Sequence, residues 1–147
     1  MKRYWVGVAS RDHVKIGEAG GFCQLGHGKE APLRRLSPGD GLVYYAPRTG
    51  MRTGDRIQAF VAIGKIANGG IYRAQQARNF CPFRRDIDYF GGSDAPISGL
   101  MARLSFTKNS ANWGLLMRRG LFEITHSDFN TVANAMGVGA SVEEAFL

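Results

Sequence analysis

Five or six short apolar runs, the longest spanning Ile57 to Ile66 and each closed by turn-forming or charged residues, constrain what this chain can fold into. Runs of this length that are rich in β-branched and aromatic side chains read as strands, and the residues that close them mark where the chain reverses. Tyr4 to Ala9 is the first, with Ser10 where it ends. Ser37-Pro38-Gly39-Asp40 carries turn chemistry, because proline fixes φ and glycine tolerates positive φ, and it delivers the chain into Leu42 to Ala46. Ile57 to Ile66 is followed by Asn68-Gly69, a dipeptide favoured in tight hairpins, so Ile71-Tyr72 is expected to begin the return strand. Pro82 to Phe90 alternates, and Leu121 to Ile124, entered from a turn at Arg119-Gly120, is the last strand.

Helices fall between and after these runs. Ser127 is expected to cap a helix in which Phe129, Val132, Ala133 and Met136 recur at helical spacing up to Gly137, and Ser141 with Glu144 has the pattern of a second capping box. Two shorter helices are expected near Arg11 to Glu18 and near Pro96 to Leu104, and a helical Glu30 to Leu36 would gather Lys29, Arg34 and Arg35 into one basic patch. Strands and helices that do not alternate strictly argue for a mixed α+β domain with a curled, mostly antiparallel sheet. The chain has 147 residues and no internal repeat or compositional break, so one domain is expected, with a core from about residue 3 to 137 and a short C-terminal tail at 138–147.

Nineteen Lys and Arg stand against 12 Asp and Glu, a formal charge of +7 that attracts phosphate or an acidic surface. Most of the excess is arginine, which grips phosphate in a bidentate fork and stacks on bases. Cys23 and Cys81 are the only cysteines and have no paired spacing, which points to neither a disulfide framework nor a four-ligand zinc module, and to a reducing, cytoplasmic location. The apolar run at the N-terminus stops at Ala9, too short for a signal-peptide core or a membrane span.

The chemistry concentrates where cationic and aromatic residues share a segment. Gly20 to Pro47 brings Lys29, Arg34 and Arg35 together with Phe22, Tyr44 and Tyr45; Phe83-Arg84-Arg85 and the stretch from Lys108 through Asn112-Trp113-Gly114 repeat the combination. Such a pairing suits a polyanion that also offers flat rings. Four such cations meeting single-stranded phosphates give a log–log salt slope of about −3. Arg85 is anomalous, since strand alternation sets it on the face of Phe83, Ile87 and Tyr89, where an unpaired guanidinium is costly to bury. Two readings stand: it meets a phosphate or base edge, or it pairs with a carboxylate such as Asp40 or Glu123. Trp113 is either a stacking wall beside the amide of Asn112 or a core anchor.

Enzymatic patterns fit less well. A phosphate-binding loop ending at Gly28-Lys29 needs glycine where Cys23 stands and Ser or Thr where Glu30 stands. Cys23 and His27 have the spacing of half a metal site, with His13, His126 and Cys81 scattered singly. Asp86 and Asp88 share a strand face on which an ion-pair ladder with Arg84 competes with a divalent ion. No cofactor is called for.

The succession Tyr4-Trp5, Val8-Ala9-Ser10, Gly20-Gly21-Phe22-Cys23-Gln24-Leu25, His27-Gly28-Lys29, Pro32-Leu33-Arg34-Arg35, Gly39-Asp40, Tyr45 with Pro47, Pro82-Phe83-Arg84-Arg85, Asn112-Trp113-Gly114 and Phe122-Glu123-Ile124 resembles a stand-alone EVE domain over nearly the whole chain. The resemblance implies a PUA-like fold, a curled β-pseudobarrel of five or six mostly antiparallel strands with flanking helices, related to the YTH readers of methylated RNA bases. It implies binding of DNA or RNA, with a modified cytosine or adenine turned into an aromatic pocket rather than a catalytic centre. On that reading Ser10, Phe22, Tyr45 and Trp113 line the pocket, Arg85 or Asn112 reads the base edge, and Lys29, Arg34, Arg35 and Arg84 track phosphates; Trp5 is a further candidate for the aromatic wall. Two alternatives stay open: a sensor of a small anionic ligand or nucleotide held by Arg85 and the Gly20-Gly21 loop, and a metal-dependent nuclease using Asp86 and Asp88.

Overall fold

Strand β3 (Gly41–Arg48) is the pivot of the architecture. In the computed structural model, which describes all 147 residues, β3 pairs in parallel with β1 (Tyr4–Val8) and antiparallel with β4 (Arg56–Ile66). The sheet extends beyond β1 to β8 (Leu121–Ile124), and beyond β4 to β6 (Phe83–Tyr89) and then β2 (Phe22–Cys23). Two-residue strands β5 (Tyr72–Arg73) and β7 (Ala95–Pro96) add to β6 and β4. All pairs except β1–β3 are antiparallel. A parallel neighbour needs a crossover, and α1 (Arg11–Gly20), β2 and α2 (Glu30–Arg34) supply it.

The sheet curls into a half-barrel because β3 and β4 shift register between Tyr44 and Tyr45 and again between Ala46 and Arg48. Such irregularities add local right-handed twist, and Pro47 sits inside the second, where the ladder is already broken. Alternation along β3 then feeds two cores. Val43 and Tyr45 face one, closed by α3 (Trp113–Met117), α4 (His126–Ala135), α5 (Gly139–Ala145) and a 3₁₀ turn at Ile97–Gly99; Leu42, Tyr44 and Ala46 face the other, closed by α1 and α2. Gly41 admits α4 to the sheet, since a Cβ there would lie 2.7 Å from the Phe129 ring.

The turn at residues 37–40 is formed, and the buried Asp40 carboxylate anchors it by accepting from Ser37 N, Arg3 N and the Trp5 indole at 2.9, 3.1 and 3.0 Å. The Asn68-Gly69 hairpin is not formed: neither residue takes the positive φ of a type I′ turn, and Ile66 at the end of β4 faces Ile87 of β6, leaving β5 to pair with β6. Helix α4 begins earlier than expected, because the Thr125 hydroxyl rather than Ser127 accepts from Asp128 N at 3.0 Å. Ser141 lies inside α5 instead of capping it, and Pro96 to Leu104 holds only the 3₁₀ turn. Residues 138–147 carry α5, which buries Val142, and Phe146 just after it packs against Tyr4 and Phe129 at ring separations of 5.4 and 5.5 Å. Fully burying one such side chain contributes about 1.5–3 kcal/mol. No helix is long and apolar enough to cross a membrane.

Candidate functional site

The residues expected to form one site are divided by the sheet among three places. The first lies where β1 and β3 end together. Val8 pairs with Tyr45, Ala9 N donates to Tyr45 O at 3.2 Å, and Ser10 follows as the N-terminal flank of α1. Trp113 opens α3 and meets Tyr45 edge to face, with ring centroids 6.3 Å apart and planes at 88°. The indole is half-buried, whereas the Tyr45 ring is fully buried between Trp113 and Phe60. Tyr45 therefore backs the wall and does not face a ligand itself. Burial pushes its hydroxyl up to about 12, against the opposing pull of Arg56. Exposed Asn112 precedes α3 and makes no capping bond, which leaves its amide free one residue before Trp113.

The second place is on β2 and β6. Phe22 pairs with Asp86 and Cys23 with Arg85, so Phe22 shares its face with Arg84 and Asp86. The Arg84 guanidinium carbon lies 3.8 Å from the Phe22 ring centroid, and the fork is held by Gln24 Oε1 at 2.6 Å and Gln76 Oε1 at 3.1 Å. Buried Gln24 is left with an unpartnered Nε2. His13, one turn into α1, adjoins this group; burial first, then the charges of Arg84 and His27, hold its pKa below the ordinary 6.5. Phe22 is thus parted from Tyr45 and Trp113, which lie against the other core. The expected Arg84–Asp86 ion pair is absent because Arg84 is spent on the two glutamines and the ring; Asp86 accepts instead from the Tyr72 hydroxyl at 2.6 Å.

The third place is at the start of β1. Arg35 lies over the Trp5 ring at 5.0 Å, and Arg3, Arg34, Arg35, Ser37 and Glu123 rim an open depression of about 590 Å³ above it. Arg34 is paired with Glu30 at 2.6 Å, and exposed Lys29 flanks the N-terminus of α2. Trp5 is fully buried with its indole on Asp40, so it is no part of an aromatic wall. Five residues of extended chain, about 17 Å, separate Trp5 from Ser10, and Arg34 and Arg35 do not rim the Trp113 surface.

Arg85 meets neither carboxylate nor open solvent. It is buried, and its Nη1 and Nη2 donate to the carbonyls of Leu36 and Gly69, each at 2.9 Å, while Nε has no partner. Asp40 is occupied by the backbone and Trp5, and Glu123 lies exposed on β8. The guanidinium is a clamp between the turn at Leu36 and the loop after β4. The Gly20-Gly21 loop is equally committed: Gly21, at φ 73°, closes α1 and its carbonyl accepts from Ile87 N. Cys23 is buried, with its thiol pushed up to about 12, and exposed His27 faces away from any group of three or more potential ligands.

Sequence reasoning passed over Gln24 and Gln76 as the groups that hold Arg84, and Arg3, which joins Arg34 and Arg35. The available signal was Gln24 between two buried residues, a polar side chain that needs a partner.

Taken together, the curled half-barrel, the single parallel pair and the flanking helices define a PUA-like fold of the kind seen in YTH domains. The YTH domain of Zygosaccharomyces rouxii MRB1, solved in complex with N6-methyladenosine RNA, matches with a TM-score of 0.60 at 15% identity, over 92% of this chain and 84% of that one. Rpa0253 from Rhodopseudomonas palustris matches with a TM-score of 0.56 at 15% identity, covering 92% and 94%. The EVE domain family matches residues 3–135, and the chain belongs to that family. A UPF0310 protein of Mesorhizobium japonicum is 48% identical over 99% of both chains, and the UPF0310 protein YdcG of Bacillus subtilis is 47% identical over 94% of both.

Proposed function

We propose that this protein is a nucleic-acid-binding module that reads a modified base in a single-stranded segment of RNA or DNA, with Trp113 as the stacking wall and Ser10 and Asn112 as the polar groups at its edge. The observation that carries the reading is the half-exposed indole of Trp113, braced edge-on by buried Tyr45 and left with a free amide beside it. Membership of the EVE family and the likeness to a YTH domain solved with N6-methyladenosine RNA support it. The charge supports it too, since only Arg11, Lys15 and Arg34 of the 19 Lys and Arg meet a carboxylate. Arg84 over Phe22, with Lys29 beyond, offers a second contact past the first turn of α1.

The energetics favour single strands. Stacking on one ring contributes about 1–3 kcal/mol, whereas extruding a base from a duplex costs a few kcal/mol. A buried methyl adds about 0.8 kcal/mol, or roughly fourfold, so strong discrimination needs a polar penalty on the plain base, and Ser10 and Asn112 are the groups placed to impose it.

The test is binding of matched short oligonucleotides, RNA and DNA, carrying plain cytosine and adenine, 5-methyl and 5-hydroxymethyl cytosine, or N6-methyladenine, at two salt concentrations. A preference for one modified base that is lost in Trp113→Ala supports the reading. Uniform binding that ignores both the modification and Trp113 overturns it. A second reading, a small anionic ligand, is favoured by the depression at Arg3, Arg34 and Arg35 and predicts a salt slope near one instead of a polymer's steeper dependence.

A further inference from the structure

The hairpin that joins β3 to β4 carries three arginines at its tip, Arg48, Arg52 and Arg56, all exposed. Arg48 and Arg56 are direct cross-strand partners, an arrangement in which like charges repel. Nothing in the chain neutralises them. None of the three meets a carboxylate; Asp55, the one acid in the tip, is tied through its backbone to Thr49. Only Arg48 makes a local bond, donating to Gly54 O at 3.3 Å.

The tip is nevertheless built. Thr49 N donates to Asp55 O at 3.0 Å, Thr49 Oγ1 accepts from Asp55 N at 3.0 Å, and Gly50 N donates to Thr53 O. It is also docked to the first turn of α1. Thr49 O accepts from Asp12 N in the first turn of α1 at 2.9 Å, two residues from Ser10, and Arg56 acts electrostatically on the hydroxyl of Tyr45, the ring that braces Trp113. A built tip that sets Arg48 opposite Arg56 across the two strands, with no carboxylate on either, is suited to an anion between them. A phosphodiester fits, because each guanidinium can fork onto its oxygens and one phosphate relieves both charges.

We propose that the β3–β4 hairpin is a phosphate clamp for the strand whose base stacks on Trp113, with Arg48 and Arg56 sharing one phosphate and Arg52 taking a neighbouring one. The clamp rests on the nucleic-acid reading above and extends it to residues that carried no signal as a basic–aromatic segment. An acidic protein would also be attracted to three arginines, but it would have no use for the adjoining indole.

The experiment measures the affinity of a 12-nucleotide single-stranded oligomer as a function of NaCl for the intact chain, the double variant Arg48→Gln/Arg56→Gln, and Lys2→Gln as a remote loss of charge, with thermal melting of each free protein. Loss of the one phosphate that Arg48 and Arg56 share is expected to flatten the log–log slope by about 0.7 and to weaken binding about fivefold at 0.1 M salt. The free double variant is expected to melt no lower than the parent, because a repulsive pair has been removed; Lys2→Gln is expected to leave the slope nearly unchanged. If the parent binds and the double variant binds with the same slope, the clamp is overturned while the reader stands. If the parent does not bind any oligomer, both fall.

Discussion

The indole of Trp113 stands edge-on to the ring of Tyr45, with centroids 6.3 Å apart, and Tyr45 is in turn edge-on to Phe60 at 5.6 Å. One aromatic residue thus faces outward and two hold it from behind. Trp113→Ala is expected to weaken oligonucleotide binding about 5- to 150-fold, the equivalent of about 1–3 kcal/mol of stacking. Trp113→Phe should retain part of the affinity. Fluorescence anisotropy with a labelled oligomer separates the two variants, and a melting curve of each confirms that the fold persists.

Arg85 is predicted to act on stability. Its two bonds join carbonyls of Leu36, just after α2, and Gly69, in the loop after β4. Arg85→Leu leaves the buried Leu36 carbonyl and the part-buried Gly69 carbonyl without this partner and is expected to cost about 2–3 kcal/mol in urea unfolding. Arg85→Lys should rescue less than half, since an ammonium cannot present a fork to two separated carbonyls.

Asp40 gathers three donors from two segments of the chain, the start of β1 and the turn at Ser37. Asp40→Ala orphans the Trp5 indole and the backbone N–H groups of Arg3 and Ser37, and a loss of about 3 kcal/mol or more is expected. A red shift of the emission of Trp5 alongside reduced stability would locate the damage at the start of β1.

His13 predicts a pH dependence of definite sign. Its pKa in the folded chain lies below the unfolded 6.5, through burial and then through Arg84 and His27. The unfolded chain therefore binds the proton more readily, and stability rises with pH across this interval. No penalty exists above 6.5; it grows as pH falls below that value toward the folded pKa. Urea midpoints at pH 7.5 and 5.5 should differ in the parent, and the difference should shrink in His13→Gln.

The strands were legible because their signals are local: alternation and turn residues marked all five strands longer than two residues, including β6 with its buried arginine. Phe22–Cys23 and Ala95–Pro96 are two residues each, too short for any period to register. The Asn68-Gly69 hairpin failed because tertiary pairing of β4 with β6 overrode a local turn preference. At the site, the residue types were right and their grouping was not. Alternation along β3 and β6 sends Phe22 and Tyr45 to different sides, and that division depends on which strands pair, a property no single segment carries. Arg85 was visible as an anomaly, but its partners are backbone carbonyls, and carbonyls have no signature in a sequence.

The central claim, that a base stacks on Trp113, is tested most directly by the two indole N–H signals in a proton–nitrogen correlation spectrum, since the chain has only Trp5 and Trp113. On titration with a single-stranded oligomer carrying the preferred base, the Trp113 signal should shift upfield and saturate with the binding curve, while the signal of Trp5, bonded to Asp40 inside the fold, stays in place. Saturable binding that leaves the Trp113 signal unmoved would contradict the account.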